Sequence, residues 1–188
     1  MIYFVRHGQT DDNLYKIYTG QKDIALNQNG LKQAVETAEK LKDVKFDICY
    51  CSPLIRAKQT CEQILKYHKA VTVIYDDRLK ERDYGELVDK PVGSIPFNRW
   101  KVGADDALTE KYKIEPILHV YKRVEEFFDE ILSKNRGKNI LIVAHSGIGR
   151  IGSAYFNGMP DGQDFSTIKI PNAGFLVFED KKGRAIDS

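Results

Sequence analysis

No stretch of this chain is apolar for anything close to the about 20 residues of a membrane-spanning helix, so a spanning segment is not expected. Cysteine is scarce: Cys49, Cys51 and Cys61 are the three present, an odd number with no Cys-x-x-Cys pair. That excludes a disulfide framework and a zinc ribbon. Excess charge is missing as well. Twenty-nine basic side chains stand against 27 acidic ones, for a net charge of +2, so nucleic acid is not expected as a partner and any basic site must be local. No internal repeat and no low-complexity segment occurs. The first apolar run begins at Ile2, which leaves no room for a signal peptide before it. The resulting expectation is a soluble chain in a reducing cytoplasm, without nucleic acid or membrane as partner. Its 188 residues are enough for one domain with a sizeable core.

What is present alternates. "IYFV" at 2–5 reads as a buried strand. In "NQNGLKQAVETAEKLKDV", Leu31, Ala34, Val35, Ala38 and Leu41 fall at helical spacing, which predicts an amphipathic helix packed on a sheet. "FDICYCS" at 46–52 is a second strand, and the helix after it is expected to start with Ser52 as N-cap and Pro53 in its first turn. "VTVIYD" at 71–76 is β-branched and strand-like. A long helix is read over "EPILHVYKRVEEFFDEILSKN", a strand at 139–144, a helix over "GIGRIGSAYFNG", and two closing strands around the Pro-Asn turn in "TIKIPNAGFLVFED". Strand alternating with helix predicts a three-layer α/β/α fold with a mostly parallel sheet, one antiparallel edge strand and a short insertion. That insertion, at about 77–114, holds Pro91, Pro96 and Trp100 and is read as a lid.

In open α/β sheets ligands bind beyond the carboxyl ends of the strands. Those ends deliver Arg6 and His7, then Arg56 early in a helix, Glu81, and His145 followed by Ser146 and Gly147. Two guanidinium forks match phosphate oxygens. A neutral imidazole can attack phosphorus, and a carboxylic acid raised in pKa by burial can protonate a leaving alkoxide. Glu86 competes with Glu81 for the acid role. A cysteine phosphatase also needs an arginine after its nucleophile, but neither Cys49 nor Cys51 stands at the required spacing from Arg56, and a helix is expected to start between them.

"VRHGQTDDN", "GQKDIALNQNGLKQA", "SPLIRAKQT", "LKERDYGEL" and "VAHSG", in that order and with "PNA" at 171–173, resemble the histidine phosphatase superfamily, which includes the cofactor-dependent phosphoglycerate mutases. The resemblance implies a single phosphoglycerate mutase-like domain over 1–188 and a phosphohistidine on His7. It makes Arg6, Arg56 and His145 the phosphate pocket and Glu81 the proton donor. Gln9, Asn13, Thr19, Gly20, Tyr84, Ser146 and Gly147 become substrate-binding residues. It implies no metal or organic cofactor, a small phosphorylated metabolite as substrate and inorganic phosphate as product. Mutases of the family carry a longer insertion after the acid and a longer tail. The short stretches after Tyr84 and Phe178 therefore favour a hydrolase, with a mutase or a non-catalytic phosphate-binding protein as alternatives. "FNRWK" at 97–101 leaves two readings: Arg99 and Lys101 cover an anionic or sugar-like leaving group, or Trp100 anchors the lid while both cations face solvent.

Overall fold

Strand β4 (Ile140–Ala144) is buried at every position, as a strand with neighbours on both edges and layers on both faces must be. The computed structural model describes residues 1–104 and 106–179. In it β4 lies at the centre of a five-stranded sheet of order β3-β2-β4-β1-β5. β1 (Ile2–Arg6) and β2 (Ile48–Cys51) flank it in parallel, and β3 (Thr72–Tyr75) adds in parallel to β2. β5 (Phe175–Phe178) closes the other edge, antiparallel to β1.

The pleat sorts successive β4 residues to opposite faces. Ile140, Ile142 and Ala144 join Phe4 in a core with α5 (Ile117–Lys134) and α6 (Ser146–Asn157), through Val124, Phe127, Phe128, Ile148 and Ile151. Leu141 and Val143 join Val5, Cys49 and Cys51 under α2 (Gln28–Leu41) and α3 (Ile55–Leu65). These are the three layers. A short α1 (Asp11–Leu14), capped by Thr10, follows β1. Segment 77–114 contributes two 3-10 turns and α4 (Asp106–Lys111). Tyr84, Leu87 and Ile114 pack there with Tyr18 as a separate apolar cluster.

Four expectations are corrected. The buried stripe of α2 is Gly30, Ala34, Thr37, Ala38 and Leu41, while Leu31 and Val35 are exposed. Small residues let α2 lie close to the loop after β1: a Cβ on Gly30 would stand 2.0 Å from the Gln9 carbonyl oxygen and one on Gly8 2.3 Å from that of Gly30. The larger apolar residues are left on the flank of the stripe. The α3 helix starts at Ile55 with Leu54 at its N-cap position, not at Ser52 and Pro53. Its terminus is served from a distance, the Ile55 N–H donating to Asp23 Oδ1 at 2.6 Å, a favourable place for a carboxylate. Residues 46–47 and 52 fall outside β2, and the closing segment forms one strand rather than two. The Ile170 carbonyl is occupied by the Arg6 guanidinium at 2.7 Å instead of a ladder partner, and Pro171 begins the turn closed by Gly174 N–H.

Candidate active site

The parallel register of β1 and β4 sets Arg6 opposite Ala144. His7 follows, donating its N–H to the Ala144 carbonyl at 3.0 Å. His7 and His145 therefore emerge side by side at the carboxyl edge of the sheet, their rings 5.1 Å apart and edge to face. α3 brings Arg56 under the same edge. The resulting cleft, of about 270 Å³, is lined by Arg6, His7, Arg56, Glu81, Arg99 and Arg150 among its charged or titratable groups.

Arg6 and Arg56, the two arginines expected in the phosphate pocket, are held by backbone carbonyls rather than carboxylates. Arg56 is 1% exposed. It donates through Nη1 to the Lys22 carbonyl and through Nη2 to the Gly20 carbonyl, each at 2.8 Å. Lys22 is itself tied down by Asp12 at 2.8 Å. Arg6 keeps a buried Nε without a partner. Burial pulls each guanidinium down to about 10, with Glu81 opposing. A buried cation supported only by neutral acceptors is an anion site in waiting.

The same cations act on the imidazoles. Burial, then Arg56 and Arg6, push His7 well below the ordinary histidine range. Its Nδ1–H donates to the Gly8 carbonyl at 2.6 Å, since the carbonyl can only accept. The unprotonated nitrogen of neutral His7 is therefore Nε2. His145 is fully buried and pushed down by burial, Arg56 and His7. Its Nε2 bonds Ser52 Oγ at 2.8 Å, and its Nδ1 has no partner.

A pH dependence of stability follows from these two rings. The folded pKa values lie below those of the unfolded chain, so below about pH 6.5 the unfolded state binds more protons. Stability is expected to fall with acidification, by up to about 1.4 kcal/mol per pH unit for each ring. Added inorganic phosphate should flatten that slope by favouring the charged imidazoles. Urea melts at pH 7, 6 and 5, with and without phosphate, check this; a slope that phosphate leaves unchanged would refute it.

Glu81 accepts from two backbone amides, Arg82 N–H at 2.9 Å and Gly147 N–H at 3.1 Å. Gly147 has to be glycine here, because a Cβ would stand 2.2 Å from Glu81 Oε1 and 2.1 Å from the Trp100 ring. Glu86, the rival acid, is exposed and paired with Lys113 at 2.7 Å, away from the cleft.

Of the other expected residues, Asn13, Thr19, Gly20, Tyr84 and Ser146 line the cleft. Asn13 Oδ1 accepts from Asn172 of the "PNA" segment at 2.9 Å, and Ala173 N–H returns to the His7 carbonyl. Gln9 points elsewhere, its Oε1 accepting from Asn27 and Asn29 at the start of α2. His145 and Gly147 sit behind the lining, on Ser52 and Glu81. Trp100 is buried and lines the cleft, Arg99 lines it too, and Lys101 lies outside. Sequence reasoning missed Ser52, Thr60 and Arg150. Thr60 Oγ1 accepts from Gly8 N–H and donates to the Arg56 carbonyl. Arg150 is four residues after Ser146 on α6, and that spacing was the available signal.

Comparison with known proteins agrees with this geometry. The family described as "Histidine phosphatase superfamily (branch 1)" matches residues 2–186. The chain is 37% identical over 148 residues to the uncharacterized phosphatase PhoE of Bacillus subtilis (strain 168), covering 75% of this chain and 69% of that one. It is 28% identical over 212 residues to the 2,3-bisphosphoglycerate-dependent phosphoglycerate mutase of Neisseria gonorrhoeae, covering 94% and 92%. Mycobacterial glucosyl-3-phosphoglycerate phosphatase shares the fold, with a TM-score of 0.78 at 24% identity over 93% of this chain and 87% of that one. With strand-end histidines, carboxylate-free arginines and a family match over nearly its whole length, the chain belongs to the histidine phosphatase superfamily, branch 1, and is an enzyme of that phosphatase and mutase class.

Proposed function

We propose that the chain hydrolyses small phosphomonoesters through a phosphohistidine on His7, releasing inorganic phosphate. The observation that carries this reading is His7 Nδ1 standing 2.6 Å from the Gly8 carbonyl, which makes Nε2 the free nitrogen of the neutral ring, while burial, Arg56 and Arg6 push the ring well below the ordinary histidine range. Arg6 and Arg56 hold the phosphoryl dianion in line with Nε2. The lone pair of Nε2 attacks phosphorus, the P–O ester bond breaks, and Glu81 gives its proton to the leaving oxygen. Water then loses a proton to Glu81 and attacks phosphorus. The P–N bond breaks, and phosphate leaves with His7 neutral again. The otherwise unpartnered Nδ1 of His145 is suited to bond a phosphoryl oxygen, and Ser52 sets that ring's orientation from behind.

Segment 77–114 is the lid of this single domain, with Trp100 closing against Gly147 and Glu81. Three free, buried thiols fit a reducing cytoplasm, and no helix among the described residues is long and apolar enough to cross a membrane.

The second reading, a mutase, is favoured by the extent of the match to a phosphoglycerate mutase. Phosphate release from a phosphoester panel, run beside conversion of 3- to 2-phosphoglycerate with and without a bisphosphate primer, separates the two. Multiple-turnover phosphate release without primed isomerisation is expected. Isomerisation outpacing release would overturn the hydrolase assignment.

A further inference from the structure

Glu81 sits where neither a ladder nor a helix holds the backbone. Residues 81–84 have no regular secondary structure and lie between the 3-10 turns Asp77–Leu79 and Gly85–Leu87. A carboxyl that protonates one oxygen and later takes a proton from another has to be held to within about 0.5 Å. Its bonds to the Arg82 and Gly147 amides fix the carboxylate only if the backbone beneath it is fixed too. That support comes from α5 and the residue two before it, Glu115.

Arg123, on α5, makes a bidentate pair with Glu115, Nε to Oε1 at 2.8 Å and Nη2 to Oε2 at 3.0 Å. Both side chains are largely buried. The pair also reaches the acid's backbone. Arg123 donates from Nη1 to the Arg78 carbonyl and from Nη2 to the Glu81 carbonyl at 3.3 Å. Glu115 Oε2 accepts the Asp83 N–H at 3.1 Å. The Glu115 main chain adds two bonds, its N–H to the Asp83 carbonyl at 3.0 Å and its carbonyl from Arg82 Nε at 2.7 Å. The chain is thus gripped at residues 78, 81 and 83, at the acid and on both sides of it. From the other side, Gln21 Nε2 donates to the same Glu81 carbonyl at 3.1 Å. Gln21 stands between Gly20 and Lys22, whose carbonyls hold Arg56, so acid and phosphate arginine are set against one frame. Neither Arg123 nor Glu115 is among the residues lining the cleft. His119 Nδ1 lies 3.5 Å from Glu115 Oε1 but is exposed and adds little. A buried ion pair brings little net stability by itself; what this one brings is geometry.

We propose that Arg123 and Glu115 are positioning residues for Glu81, serving proton transfer without touching the substrate. This rests on Glu81 being the acid of the hydrolase reading above. Without the fork, the 78–83 backbone shifts and carries the carboxyl away from the leaving oxygen. Arg6, His7 and Arg56 keep their own supports, so phosphate binding and attack by Nε2 are spared.

Four readouts separate positioning from general damage. Arg123→Gln should lower kcat on glycerol 1-phosphate by about 10- to 100-fold. The first, p-nitrophenolate-releasing step on p-nitrophenyl phosphate, read by rapid mixing, should stay within about threefold of wild type, because that leaving group needs no proton. Calorimetric affinity for inorganic phosphate should also change by less than about threefold, as the arginines that hold it are untouched. In a Glu81→Gln background, Arg123→Gln should cost no more than about twofold further on glycerol 1-phosphate, because the group it positions is already disabled. Arg123→Lys keeps the charge without the fork. It should show the same alkyl-selective loss in smaller measure, and it stands in if Arg123→Gln folds poorly. Equal losses on the two substrates, or losses that multiply in full with Glu81→Gln, would overturn the positioning role. If Glu81→Gln itself leaves glycerol 1-phosphate hydrolysis intact, the acid assignment fails and the positioning role falls with it.

Discussion

Replacing His7 with alanine should lower phosphate release from p-nitrophenyl phosphate by about 10⁴-fold or more, the order seen when a covalent nucleophile is removed. The reason is geometric as well as chemical. His145, the other imidazole at the edge, is fully buried and turned onto Ser52, so it cannot substitute as nucleophile. Arg6 and Arg56 are untouched by the change and keep their carbonyl supports. Inorganic phosphate or vanadate should therefore still bind, which separates lost chemistry from lost structure. Denaturing the wild type in alkali during turnover should trap one phosphoryl group that is stable to base and labile to acid, absent from His7→Ala. The same variant should also lose half of the acid-induced slope in stability, because only His145 is left to resist protonation. Equal turnover in variant and wild type would remove His7 from the nucleophile role altogether.

Of the residues expected to hold phosphate, Arg6, His7 and His145 were legible in the sequence because each stands at the end of an apolar strand, whereas Arg56 lies early in a helix. A strand that ends in "RHG" or "HSG" announces both its burial and its chemistry, and the sheet does the rest by register: Arg6 opposite Ala144 makes the two histidines neighbours. The opposite wall of the cleft was legible only in part. Arg99 was one of two open readings of a segment without periodicity, and for Arg150 only its spacing of four from Ser146 offered a signal. The fold brings both to the cleft. Ser52 shows a different limit. Local rules read a serine before a proline as a helix cap, whereas its hydroxyl is taken by His145, and Asp23 serves the helix instead. The α2 stripe failed for a third reason. Hydrophobic periodicity marks the apolar side of a helix, but close approach to the Gln9 backbone selects the small residues within it. Ile170 was read as strand because its composition is strand-like, yet a tertiary partner, Arg6, claimed its carbonyl.

Changing Glu81 to glutamine should separate the two halves of the reaction. Glutamine keeps the shape and can still accept from one of the Arg82 and Gly147 amides, which Glu81 meets with different oxygens, but its amide nitrogen cannot accept from the other. It has no acidic proton to give and cannot take one from water. Alkyl phosphates, whose alkoxide leaves only with a proton, should lose about 10²- to 10⁴-fold in kcat/KM. p-Nitrophenyl phosphate, whose phenolate is a weak base, needs no such proton in the first step and should lose far less. Its second step still lacks a base. The variant should therefore release a burst of p-nitrophenolate, approaching one equivalent per site, followed by slow turnover while the phosphohistidine accumulates. Glu86→Gln is the control: its exposed pair with Lys113 is worth little and lies outside the cleft, so activity should be unchanged. Rapid-mixing absorbance with p-nitrophenyl phosphate, beside steady-state phosphate release from glycerol 1-phosphate, reads both effects. Equal losses on aryl and alkyl substrates with no burst would move the proton-transfer role away from Glu81. The same loss pattern in Glu86→Gln would move it to the rival carboxylate, in a conformation with the 77–114 segment rearranged.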